Sequence, residues 1–199
     1  MRPPAVMALV LGLAVWSGAG AEAVAGPPEI GSPVSDFEVT SLEGQPVSLP
    51  AARNEHKAVV IVFLSTVCPY ARYFARHLRE LSEAYASRGV FFVGIYSNGW
   101  DSREQVTEDV RRRGFSFAVA RDLGHRATDG LGAVRTPEAF LVDATGRLRY
   151  RGWVKSKQES PDLQRALDAV LEGRRVHRAL TKAFGCAIDR SRPETLVGR

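Results

Sequence analysis

The sequence predicts an α/β domain: a central mixed β-sheet flanked by helices, with an N-terminal β-hairpin. Three observations carry this. Two continuous apolar, β-branched runs, "KAVVIVFLS" and "GVFFVGIYS", have the pattern of strands buried on both faces. Each is followed by a segment with helical spacing, which implies parallel pairing through crossover helices. A later stretch, "AFLVDATGRLRYRGW", reads as a hairpin that adds antiparallel strands.

The elements follow in order. After a Pro/Gly stretch at 26–33, Phe37, Val39, Val47 and Leu49 alternate on either side of a turn near Glu43-Gly44, which predicts the first hairpin. The first buried strand comes next. Ala71, Phe74, Leu78, Leu81 and Tyr85 then recur every three or four residues, one apolar helix stripe, with Arg72, Arg76, Arg79 and Glu80 mostly off it. The second buried strand precedes "SREQVTEDVRRRG", a polar helix with Val106 and Val110 inward. Ser102 and Gln105 form its capping box and Gly114 its stop. "FSFAVARD" is a short strand and "GHRATDGLG" a short helix or turn. The late hairpin has strands at 138–142 and 147–152 around a turn at Asp143 to Gly146. In the last helix Ser160 is the expected cap, Pro161 sits in the first turn, Leu163, Ala166, Leu167, Val170 and Leu171 face inward, and Gly173 ends it. The remainder has weak periodicity and reads as a tail.

The chain is long enough for one domain with a proper core, and 45% hydrophobic against 25% charged residues favours a folded globule over disorder. The formal charge of +5 is spread along the chain. The densest basic runs, at 110–114 and 173–178, lack interleaved aromatics, so they read as solvated helix faces and no nucleic-acid partner is expected. At the N-terminus, Arg2, an apolar run from Ala5 to Trp16 and then small residues have the form of a signal peptide. The run is too short for a membrane span. Ala21-Glu22-Ala23 places cleavage after Ala23, with Ala23-Val24-Ala25 as a second option. The expected organisation is therefore signal 1–23, linker 24–30, domain 31–175 and tail 176–199, in a protein exported to a periplasmic or extracellular setting without stable membrane insertion. There the only two cysteines, Cys68 and Cys186, can pair.

Cys68 lies where the first buried strand ends, the place where open α/β sheets set their reactive groups. Pro69 suits the first position of a helix, so Cys68 falls at or near its N-cap. Free N–H donors and the positive end of the helix dipole stabilise a thiolate there, taking its pKa from ~8.5 toward ~3.5–7.5. An inert buried cysteine is the alternative. Further on, Thr136-Pro137 directly precedes a strand, a placement compatible with a tight turn and a cis bond.

"VVIVFLSTVCPYARYFARHLRELSEAYASRGVFFVGIYSN" followed by "VRTPEAFLVDATGRLRYRG" resembles the redoxin group of the thioredoxin-like superfamily, over roughly Gly31 to Gly173. That group includes the alkyl hydroperoxide reductase/thiol-specific antioxidant proteins and exported thiol–disulfide proteins. The resemblance implies a thioredoxin-like fold, Cys68 as the attacking thiol, Pro137 as the cis-proline facing it, and Thr136 as a lining residue of the substrate groove. Three departures shape the expectation. Thioredoxin-type reductases have a second cysteine where Cys68-Pro69-Tyr70-Ala71 has Ala71. Peroxiredoxins have a proline and a threonine where this chain has Ile61 and Ser65, although Ser65 and the adjacent Thr66 still offer hydroxyls. Sco-like copper proteins have a second cysteine where Arg72 stands.

Cys186, in "TKAFGCAIDR", is the other thiol. Gly185 permits close backbone approach, and Phe184 and Ile188 are apolar enough to dock. Three roles stay open: resolving Cys68 through a disulfide, a permanent staple worth about 4–5 kcal/mol in the entropy account, or an unpaired thiol. Arg72 and Arg135 are candidates to hold the thiolate, or solvated arginines. Tyr70, beside the motif, is a candidate for the substrate surface, and Asn98, Gly99 and Trp100 share its rim. His56, His77, His125 and His177 show no metal-ligand spacing, and His77 reads as a surface residue. No metal or cofactor is expected. The sequence thus points to a thiol–disulfide oxidoreductase acting on protein or small-molecule thiols and disulfides with an external electron donor. A peroxiredoxin-like peroxidase acting on peroxides and a non-catalytic metallochaperone or assembly factor are the alternatives.

Overall fold

A computed structural model describes residues 27–155 and 161–191. The signal-peptide expectation for 1–23, both cleavage options and the Ser160 cap lie outside the described residues. Strands β1 (Glu38–Ser41) and β2 (Pro46–Ser48) form the expected first hairpin. Helix α1 (Leu49–Glu55) follows directly. The alternation of Val47 and Leu49 predicts that Leu49 belongs to the hairpin. Instead the Ser48 side chain accepts from the Ala51 N–H, and a proline in the first turn starts a helix that buries Leu49 and Ala52. Strand β3 (Ala58–Leu64) is buried at every position, as its composition implies. It leads into α2 (Pro69–Ala86), then β4 (Val90–Tyr96), α3 (Arg103–Arg113), β5 (Ala118–Arg121) and α4 (Arg126–Leu131). A two-residue strand β6 (Arg135–Thr136) precedes β7 (Glu138–Asp143) and β8 (Leu148–Gly152). Helix α5 (Asp162–Leu171) and a second two-residue strand, β9 (Cys186–Ala187), complete the order.

The main sheet runs β2-β1-β5-β4-β3-β7-β8. β3, β4 and β5 are parallel and β7 and β8 antiparallel, as the crossover and hairpin patterns require. Apolar side chains of α2, α3 and α5 pack against one face through Leu78, Val106 and Leu163, with Val60, Val62 and Leu64 beneath them. The other face packs Leu49 of α1 and Leu131 of α4 on Val59, Ile61 and Phe63. Central β3 is thus covered on both sides, and its carboxyl end opens onto the rim that carries Cys68. Among the described residues no helix is long and apolar enough to cross a membrane.

The capping box of α3 is present, with Ser102 and Gln105 each bonding the other's backbone, and Gly114 ends the helix at φ +66. At α5 the expectation needs correction: Pro161 occupies the N-cap and Asp162 starts the helix, while Glu172 caps its end. The basic run of α3 is also not wholly a solvated face. Arg113 is buried and pairs with buried Asp109 at 2.8 Å.

The segment read as a plain tail is docked along the domain. It crosses β8, where the Arg151 N–H donates to the Ala179 carbonyl at 2.8 Å and the Thr181 N–H to the Arg151 carbonyl at 2.9 Å. It then turns over the carboxyl end of β3. The close approach needs glycine on both sides: at Gly152 a Cβ would strike Thr181, and at Gly185 it would strike the Thr136 carbonyl, each with φ in the positive range.

A cysteine pair at the candidate active site

Cys68 is the N-cap of α2, with Pro69 at the head of the helix, and only 1% of its surface is exposed. As a thiol it donates to the Thr136 carbonyl at 2.9 Å. The Thr136–Pro137 bond is cis. β6 pairs antiparallel with β9 and sets Thr136 opposite Cys186. Cys186 is half-buried, and its thiol lies within hydrogen-bonding reach of the Cys68 sulfur; both are free thiols here.

The electrostatics divide the pair. Burial raises the Cys68 pKa, but donation from the Cys186 thiol, the Ala71 N–H in the first turn of α2 and the Thr136 hydroxyl together lower it below its ordinary value of 9.0. The Thr136 hydroxyl is buried and has no hydrogen-bond partner while Cys68 is a thiol, which leaves it to serve the thiolate. Cys186 is pushed up to about 11, by burial first and then by its hydrogen bond to Cys68 and the repulsion of a second negative charge. When the pair loses its first proton the charge falls on Cys68, and Cys186 remains the donor.

The other anticipated residues fall into two groups. Thr136 meets the sulfur through its carbonyl, with Pro69 next to Cys68 at the head of α2 and Pro137 across the cis bond from Thr136. Tyr70 follows Pro69 and sets its ring edge-on against Phe184 of the tail, centroids 5.3 Å apart. Phe184 also meets Phe74 and Trp153, which anchors the chain just before Cys186. Ser65 and Thr66 serve the loop rather than the thiol. The Ser65 hydroxyl accepts from the Val67 N–H at 3.3 Å, and the Thr66 hydroxyl donates to Asp101. Arg72 is exposed on α2; its backbone N–H donates to the Cys68 carbonyl at 3.1 Å, and its guanidinium is not among the groups that chiefly set the Cys68 pKa. Arg135 donates to the Gly185 carbonyl at 3.3 Å and so reaches the tail. Trp100 is exposed on the rim, while His77 is half-buried, with its pKa lowered by burial.

Three buried charged residues that sequence reasoning missed hold this geometry. Arg113 donates to the Ser65 carbonyl at 3.0 Å from beneath the Cys68 loop. Asp101 accepts from the Thr66 N–H at 3.3 Å. Glu138 accepts from the Val134 and Arg135 N–H groups at 3.0 and 3.3 Å, and from Arg151 at 2.9 Å, bracing the turn before the cis bond. Among the described residues, no group of three or more His, Cys, Asp and Glu side chains is placed to hold a metal ion.

Residues 30–151 match the profile of the AhpC/TSA family. The chain belongs to the AhpC/TSA family. The chain is 27% identical over 142 residues to the thiol-disulfide oxidoreductase ResA of Bacillus thuringiensis subsp. konkukian, covering 71% of this chain and 79% of that one. The crystal structure of protein SMc02350 from Sinorhizobium meliloti 1021 superposes with a TM-score of 0.76 at 27% identity, covering 82% of this chain and 95% of that one. A thiol:disulfide interchange protein of the thioredoxin family from Chlorobium tepidum TLS superposes with a TM-score of 0.58 at 25% identity, covering 72% of this chain and 98% of that one. The AhpC/TSA assignment agrees with the redoxin resemblance and with a thioredoxin-like fold.

Proposed function

We propose that this AhpC/TSA-family protein is a thiol–disulfide oxidoreductase in which Cys68 attacks and Cys186 resolves. The observation that carries the reading is the placement of Cys186 on β9, opposite Thr136 and against the Cys68 sulfur. The names of ResA and the Chlorobium protein support the reaction class.

The Cys68 thiolate attacks one sulfur of a substrate disulfide, forming a mixed disulfide and releasing the other sulfur as a thiolate, which takes up a proton. Cys68 then no longer carries charge, so the repulsion that opposes ionisation of Cys186 is gone. Cys186 loses its proton and attacks the Cys68 sulfur. The second substrate sulfur leaves as a thiol and a Cys68–Cys186 disulfide remains. Two electrons have passed from the protein dithiol to the substrate disulfide, and an external dithiol donor restores the reduced pair. The resolving cysteine thus comes from the tail instead of from position 71.

The proposal includes export: residues 1–23 are a cleaved signal, 24–30 a linker, 31–175 the redoxin domain and 176–199 the tail that carries the second thiol. N-terminal sequencing of protein recovered outside the cytoplasm, beginning at Val24, checks that part. For the chemistry, stopped-flow mixing with a model disulfide and with hydrogen peroxide separates reductase from peroxidase. The expected result is rapid reaction with the disulfide, abolished in Cys68→Ser, and a Cys68–Cys186 linked peptide in non-reduced mass spectra. Full activity in Cys68→Ser, or two free thiols after oxidation, overturns the proposal.

A further inference from the structure

We propose that Asn98 is a positioning residue for the cysteine pair: one buried amide that holds the Cys68 loop and the Cys186 strand in a common frame. The inference rests on the proposed pairing of these two thiols. Asn98 follows β4 at the carboxyl end of the sheet and is 4% exposed. Its Nδ2 donates to Asp101 Oδ2 at 2.9 Å. The other oxygen of Asp101 receives both the N–H and the hydroxyl of Thr66, two residues before Cys68. The Asn98 Oδ1 accepts from the Asp189 N–H at 2.8 Å, three residues after Cys186. The next residue, Gly99, donates its N–H to the Asp189 carbonyl at 2.9 Å. Both backbone groups of Asp189 are therefore taken up by the turn at 98–99.

An asparagine amide has a donor on one branch and an acceptor on the other, in one plane. Here the donor branch faces the carboxylate that secures the Cys68 loop, and the acceptor branch faces the tail. Aspartate at 98 would place two carboxylates together, and leucine would lose both bonds. The tail strand is already held upstream by Arg151 and by the Phe184 ring contacts. The Asn98 contact holds it downstream, so Cys186 sits between two fixed points instead of near the end of a loose strap. A thiol on a short flexible linker presents itself at roughly millimolar effective concentration. Clamping the strand on both sides raises that value.

The test measures the effective concentration of Cys186 at Cys68 by equilibrating the full chain with reduced and oxidised glutathione. Asn98→Ala is expected to lower it tenfold or more, which raises the reduction potential of the pair by about 30 mV or more. It should also increase alkylation of Cys186 by a bulky maleimide. Asp189→Pro deletes the N–H that Asn98 accepts, from the tail side and outside the core, and should reproduce the shift. The double variant should add little to either. Wild-type protein that forms the disulfide while Asn98→Ala and Asp189→Pro match its potential overturns this inference alone. Wild-type protein that forms no Cys68–Cys186 disulfide overturns the proposed function and this inference with it.

Discussion

Thr136 stands between the two cysteines: its carbonyl accepts from the Cys68 thiol at 2.9 Å, and its backbone pairs with Cys186 across β6 and β9. One residue of the cis turn thus touches the thiol at the helix cap and aligns the thiol of the tail. Four consequences can be measured.

The first is a pH profile. The Cys68 pKa is lowered, so its thiolate fraction, and with it the rate of alkylation by iodoacetamide, should rise with pH to a plateau whose midpoint lies below 9.0. Below that midpoint the rate should fall about tenfold per pH unit. Cys186→Ala removes a donor to the thiolate, so its profile should move to higher pH. An unmoved midpoint would show that Cys186 does not support the charge.

The second concerns Gly185. Alanine there would drive its Cβ into the Thr136 carbonyl at a φ of +146, which L side chains rarely adopt. The β6–β9 pair should open while the core stays intact. Acid-quenched trapping of the Cys68–Cys186 disulfide should show formation slowed by about tenfold or more. The thermal midpoint of the reduced protein should change little, because the pair involves only two residues of each strand.

A third prediction uses the aromatic anchor. Phe184 meets Tyr70, Phe74 and Trp153, and edge-to-face aromatic pairs contribute about 0.5–1.5 kcal/mol each beyond buried area. Phe184→Ala should therefore release the tail before the domain melts. Limited proteolysis should cut between Lys182 and Arg190 faster than in the wild type, and amide exchange should rise at Cys186 and Ala187.

The fourth tests the support beneath the loop. Arg113 and Asp109 are both buried, and the Arg113 guanidinium also reaches the Ser65 carbonyl. Removing one partner of a buried pair leaves the other charge uncompensated at about 3–5 kcal/mol. Arg113→Met should lower stability to urea by that order and slow the attack of Cys68. Arg111, on the exposed face of the same helix and paired with Glu108, is the contrast: Arg111→Ala should cost about 1 kcal/mol or less.

What the sequence determined by itself was set by near neighbours. A run such as Val59 to Leu64 declares a doubly buried strand because every side chain in it prefers to leave water. Cys68-Pro69 declares a helix start because proline lacks the N–H that the first turn cannot use. The Asp143–Gly146 turn follows equally from local chemistry. The sequence also singled out both thiols, since the chain has only two cysteines and one stands at a helix cap. Other features depended on residues far apart in the chain. β6 and β9 are two residues long and have no periodicity to read. Arg113 looks like its solvated neighbours until the Cys68 loop and Asp109 surround it. Asn98 is an ordinary turn residue until Asp101 and Asp189 take its two branches. Only the tertiary structure decided that the tail lies across the carboxyl end of β3, because the glycine clearances, aromatic contacts and backbone bonds that hold it there exist only once the sheet has formed.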